Sequence, residues 1–69
     1  MATSDRAIRA ARILARAQST FGNPEKALVW MQEPKRRFGG RTPLEMLANE
    51  AGERLVEEIL VQIDEGMFA

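Results

Sequence analysis

The sequence contains no cysteine, no histidine and no tyrosine. Without cysteine there is no disulfide staple, and nothing points to an oxidising compartment. Without histidine, cysteine or tyrosine the chain lacks the common general base near neutral pH and the soft metal ligands. Neither a Ser-His-Asp nor a Cys-His arrangement can be assembled. The remaining carboxylates fall mostly at spacings typical of a solvated helix face. The expectation is therefore a chain that is not an enzyme, with no catalytic residue, no metal site and no cofactor. Long hydrophobic runs are also missing. No segment is long and apolar enough to span a bilayer, and the N-terminus lacks the apolar stretch of a signal peptide. The expected location is the cytoplasm, with no membrane partner.

What is present is a chain of 69 residues, enough for one domain, with 45% hydrophobic and 29% charged residues. Lys and Arg balance Asp and Glu at ten each, but the charges are segregated. Residues 1–41 hold nine cations against three acids, and residues 42–69 hold Arg54 alone against seven acids. Three arrangements fit this asymmetry: halves that fold together and pair their charges, a basic face for a partner or nucleic acid, and head-to-tail self-association into a homo-oligomer.

Helical periodicity dominates, so the fold class is all-α, a compact four-helix domain with short capped connections. Ser4 can cap a first helix, with Asp5 in its first turn. Ala10, Ile13, Leu14, Ala17 and Phe21 make one apolar stripe at spacings of three and four, and Gly22 stops the helix. Arg6, Arg9, Arg12 and Arg16 make a second, basic stripe. Asn23 caps a second helix over about Pro24 to Gln32, with Pro24 at its first position. Its expected buried positions are Ala27, Leu28, Trp30 and Met31, and Pro34 ends it. The stretch from Lys35 to Arg41 reads as a loop opened by Gly39 and Gly40. Thr42-Pro43-Leu44-Glu45 is a capping box with proline at its first helical position, starting a short helix over about Pro43 to Ala48. Asn49 caps the last helix, whose apolar face is Leu55, Val56, Ile59, Leu60 and Ile63. Gly52 allows another helix to approach closely. Gly66 ends the helix, leaving Met67-Phe68-Ala69 as an apolar tail.

Each candidate site has a plainer reading beside it. The arginine stripe together with Lys35, Arg36 and Arg37 suits an anion or a partner. The same residues suit a solvated face, or one turned toward the acidic half. A helix-turn-helix pair with base-reading side chains is absent, so a small nucleic-acid-binding regulator working through the arginine stripe is the alternative rather than the leading reading. Gly39-Gly40 before Thr42 lacks the spacing and the Lys-Ser/Thr ending of a phosphate-binding loop. Phe21 and Trp30 lie on buried stripes and read as core, whereas Phe38 sits undecided in the basic loop. Met67 and Phe68 either fold back onto the last helix or meet a partner.

The ordered motifs resemble a known family. Phe21-Gly22-Asn23-Pro24-Glu25-Lys26-Ala27 with Trp30-Met31 looks like its opening segment. Pro34, Gly39-Gly40 and Thr42-Pro43-Leu44 resemble its central turn and helix. Gly52, Val56, Leu60 and Ile63, then Gly66-Met67-Phe68-Ala69, resemble its ending, a helix closed by a G-x-x-A pattern. The family is the Xre/MbcA/ParS-type antitoxin toxin-binding domain, and the resemblance covers about Ala17 to Ala69. It divides the chain into residues 1–16, the N-terminal part of a basic amphipathic helix, and residues 17–69, the toxin-binding domain. It implies a partner, a RES-domain toxin that consumes or transfers from NAD, neutralised by an antitoxin that covers its active-site entrance. Carried over by residue, toxin contact falls on Gly66, Met67, Phe68 and Ala69, while Phe21, Trp30, Pro43, Leu44 and Gly52 look structural. Residues 1–20 are too few for the helix-turn-helix domain that family members often carry. DNA binding is therefore expected only from a separate region outside this chain.

Overall fold

The structure is a computed structural model that describes residues 2–66. Four α-helices follow in order: α1 (Ala2–Phe21), α2 (Pro24–Gln32), α3 (Pro43–Met46) and α4 (Glu50–Asp64). The all-α class expected from periodicity is the fold found. Among the described residues there is no strand, only one isolated antiparallel bridge between Lys35 and Arg41.

Local sequence places most of the boundaries. Asn23 is extended, and its side-chain oxygen accepts from the N–H groups of Glu25 (2.8 Å) and Lys26 (3.0 Å). These are two of the orphan donors that open α2. Thr42 and Glu45 form the complete capping box: the Glu45 N–H donates to Thr42 Oγ1 at 3.0 Å, and the Thr42 N–H donates to the Glu45 carboxylate at 2.8 Å. Asn49 accepts from the Gly52 N–H at 2.8 Å and opens α4. Gly22 and Gly66 close α1 and α4 with φ of 65° and 77°, a region where a side chain is strained.

Other expectations need correction. The first helix begins at Ala2, so Ser4 lies inside it rather than at its cap, although Asp5 does fall in the first turn. A cap needs an extended backbone, and Ala2 and Thr3 continue the helix past Ser4 instead. The loop after Pro34 contains a 3-10 turn over Arg36–Phe38, and α3 stops at Met46, short of Ala48.

The core is formed by Ile13 and Ala17 of α1, Ala27 and Met31 of α2, Phe38 of the 3-10 turn, Leu47, and Val56 and Leu60 of α4. Phe38, undecided from sequence, is buried at 8% exposure. Leu28 and Leu55, expected inside, are each 46% exposed. Successive helical residues are rotated by about 100°. With Ala27 and Val56 facing the core, the neighbours Leu28 and Leu55 turn away from it. Trp30 is half-buried rather than buried, and Leu44 is 40% exposed.

Gly52 is where α4 meets α3. A Cβ placed there would overlap the Met46 carbonyl oxygen, so only glycine admits this approach. The polar contacts show how α1 and α4 lie. Arg9 reaches Leu47 and Ala48 just before α4, Arg12 reaches Glu53 near its start, and Thr20 reaches Asp64 at its end. The two helices therefore run side by side in the same direction.

Candidate toxin-binding surface

The basic stripe of α1 and the basic loop after α2 are adjacent neither in sequence nor in use. Arg9 donates from Nε to the Leu47 carbonyl at 3.1 Å and from Nη2 to the Ala48 carbonyl at 3.2 Å. These carbonyls follow α3, so a cation from α1 satisfies acceptors that the short helix leaves open. Arg12 Nη2 meets the Glu53 carboxylate at 3.1 Å, and Arg16 Nη2 meets Asp64 at 3.6 Å. Thr20 donates to the same Asp64 carboxylate at 3.1 Å. Arg6 is exposed at the far end of the stripe. The basic and acidic halves thus pair with each other across the α1–α4 seam, the first of the three arrangements the sequence allowed.

The loop cations sit differently. Lys35 lies over the Trp30 ring, 4.8 Å from its centroid, and reaches Glu33 at 3.4 Å. Arg37 donates to the Gln62 side-chain oxygen at 3.1 Å, which ties the loop to α4. Arg36 heads the 3-10 turn and is exposed. The loop is held from within by Lys35 N–H donating to the Arg41 carbonyl, and Gly40 N–H to the Lys35 carbonyl, both at 3.0 Å. Gly39 and Gly40, at φ of 65° and 87°, allow the chain to turn this tightly.

Between this loop, α2 and α4 lies a groove of about 390 Å³, lined by Trp30, Pro34, Phe38, Ile59 and Ile63 with Lys35, Arg36 and Arg37. Its walls are apolar and its rim is cationic. On the other side of Trp30, Phe21 stacks at 5.6 Å between centroids, tilted by 48°. Trp30 is therefore a wall between the core and the surface, which explains why it is only half-buried. The sequence signal that could have located the groove was the pairing of an undecided aromatic, Phe38, with the basic run before it. What that run faced was not readable.

Of the residues carried over as toxin contacts, Gly66 ends α4 one turn beyond Ile63, its N–H donating to the Ile63 carbonyl at 3.0 Å. Met67, Phe68 and Ala69 lie outside the described residues.

Among the described residues no group of His, Cys, Asp or Glu could hold a metal ion, and no buried side-chain polar atom lacks a hydrogen-bond partner. No helix in that range is long and apolar enough to cross a membrane. The Glu45 carboxyl group is displaced by its cap. The Thr42 N–H, then the Thr42 hydroxyl, hold it below the usual carboxylate range. That is a capping role, away from the groove.

Comparison with known proteins agrees with this geometry. Antitoxin Xre of Pseudomonas putida is 49% identical over 63 residues, covering 91% of this chain and 40% of that protein. Antitoxin Xre of Yersinia enterocolitica is 31% identical over 67 residues, covering 96% of this chain and 45% of that protein. The chain spans less than half the length of these curated relatives. Residues 16–66 match a family profile described as the antitoxin Xre/MbcA/ParS C-terminal toxin-binding domain. With three capped helices, the Gly52 crossing and the Gly66 stop all inside that span, the chain belongs to the Xre/MbcA/ParS family of antitoxin toxin-binding domains.

Proposed function

We propose that this chain is the neutralising module of a bacterial type II toxin–antitoxin pair, and that its partner is a RES-type toxin consuming NAD. The observation that carries the reading is the family match over residues 16–66. Neutralisation of this kind needs no chemistry from the antitoxin. It needs a rigid body that covers the toxin's active-site entrance and excludes substrate, with about 800 Å² buried on each partner in an ordinary interface. Residues 17–69 form the binding module, and residues 1–16 the basic lead of α1. Gly66, Met67, Phe68 and Ala69 make the toxin contact, with the two apolar side chains as anchors. The site of action is the cytoplasm, where NAD is available. The α1–α4 contacts support this reading over nucleic-acid binding, because Arg9, Arg12 and Arg16 are already engaged with protein acceptors.

The test uses the protein encoded by the neighbouring reading frame. Expressed alone it should deplete cellular NAD and arrest growth, and co-expression of this chain should restore both. Phe68→Ala should weaken the complex by about 2 kcal/mol, as loss of an interface anchor does, without moving the melting point of the free domain. A neighbouring protein that leaves NAD untouched would refute the RES assignment. A Phe68→Ala domain that is destabilised yet binds at wild-type affinity would refute the tail as an anchor.

A further inference from the structure

We propose that the groove between α2, the Lys35–Phe38 loop and α4 is a docking pocket for an acidic segment of the toxin: a bulky apolar side chain with carboxylates flanking it. The proposal rests on the toxin-binding reading above and adds to the tail a second, separate contact.

The groove is lined by residues of two kinds. Trp30, Pro34, Phe38, Ile59 and Ile63 are apolar, and every charged residue lining it is a cation: Lys35, Arg36 and Arg37. A concave apolar floor takes a side chain out of water, and rim charges choose which side chain arrives and in what orientation. Three cations, with no acid among the described residues of the lining, repel basic segments and favour carboxylates.

The internal contacts of those cations prepare the site. Lys35 is held over Trp30 and close to Glu33, so its charge stands at the edge of the floor instead of waving in solvent. Arg37 is pinned to Gln62 of α4. Arg36, at the head of the 3-10 turn, is exposed, and its carbonyl accepts from the Gly39 N–H within the turn. The contrast with α1 is informative. There the arginines meet acids and carbonyls across the α1–α4 seam, and here Lys35 pairs with Glu33 two residues before it, while no acid stands among the described residues that line the groove. Ile63 lines the groove and Gly66 lies one turn further on. A toxin that engages the chain beyond α4 therefore has this pocket within reach.

Trp30 is the single tryptophan, so its emission reports on the groove directly. The probe is a synthetic peptide with adjacent leucine and phenylalanine between flanking glutamates, titrated into the full chain. It should change Trp30 emission saturably. Replacing the glutamates by lysines, replacing the apolar pair by serines, and the exposed-site variant Arg36→Glu should each weaken binding about tenfold or more. Added salt should weaken it as well. In parallel, the toxin is titrated into wild type and Arg36→Glu by calorimetry, with and without excess peptide. The expected result is a loss of about tenfold for the variant and competition by the peptide. Equal toxin affinity for both proteins would overturn the groove and leave toxin binding standing. No toxin binding by folded wild-type chain would overturn both. Peptide binding that strengthens tenfold when residues 67–69 are removed, with toxin affinity indifferent to Arg36, would show the groove filled by the chain's own tail, and would also overturn the proposal.

Discussion

The seam between α1 and α4 and the groove beside α2 both carry basic clusters, and the fold uses them differently. In the seam, Arg9, Arg12 and Arg16 end on carbonyls or carboxylates of their own chain. In the groove, Lys35, Arg36 and Arg37 surround an apolar floor, with Lys35 paired to Glu33 at its edge and Arg37 tied to Gln62. A basic cluster in a sequence therefore has no fixed meaning. Its role depends on what the fold places opposite: carbonyls and carboxylates across a helix seam for Arg9, Arg12 and Arg16, an aromatic ring, a nearby glutamate and a glutamine for Lys35 and Arg37.

Both regions depend on Gly52. A Cβ there overlaps the Met46 carbonyl oxygen, which is backbone and cannot rotate away. Gly52→Val should push α3 off α4, moving both Glu53 of the seam and Ile59 of the groove. The expected loss is about 3 kcal/mol, the upper end for overpacking, a large share of the stability of a domain this small. Denaturant unfolding measures it, and a variant as stable as wild type would mean that α3 does not set the position of α4.

Removing the capping box is a smaller step. Thr42→Ala should cost about 1 kcal/mol, read in the same unfolding experiment, while Arg12 and Arg36 keep their surroundings. Acid acts on the same motif. Because the folded protein holds the Glu45 pKa below its usual value, the associated stabilisation is present above the ordinary carboxylate pKa and fades as pH falls through the lower, folded value. Glu45→Gln should flatten that part of the pH–stability profile. An unchanged acid limb would separate Glu45 from it.

The Arg12 side chain is 63% exposed where it meets Glu53, and surface pairs of this kind contribute about 0.5 kcal/mol or less. Arg12→Gln should therefore barely move the unfolding midpoint, and it should leave peptide binding at the groove unaffected, unlike Arg36→Glu. If Arg12→Gln weakened the peptide as much as Arg36→Glu, the two basic regions would act as one long-range field, and the distinction drawn between them would fall.

Elements whose cause is local could be read from sequence. Asn23, Thr42 and Asn49 open helices because a short polar side chain one residue ahead satisfies free N–H groups nearby. Gly22 and Gly66 end them because the left-handed backbone is open to glycine. The absence of histidine and cysteine, and the segregation of charge, needed no structure at all. Gly52 was legible as a close approach, although its partner was not. Ser4 was misread because a good capping residue becomes a cap only where the chain before it leaves the helix.

Tertiary structure decided everything that depends on a second element. Periodicity marks an apolar side of a helix but not how wide a strip its neighbours cover. Leu28 and Leu55 were therefore placed inside and stand at the surface, while Phe38 left a basic loop for the core. The same ignorance applied to charge. Nothing along the chain says that Arg12 faces Glu53, forty-one residues away, or that Trp30, Phe38 and Ile59 share one groove. Caps and turns act over three or four residues, so their causes lie side by side in the sequence. Burial and pairing act across space, and only the packing of α1, α2 and the loop against α4 sets which surfaces close and which stay open.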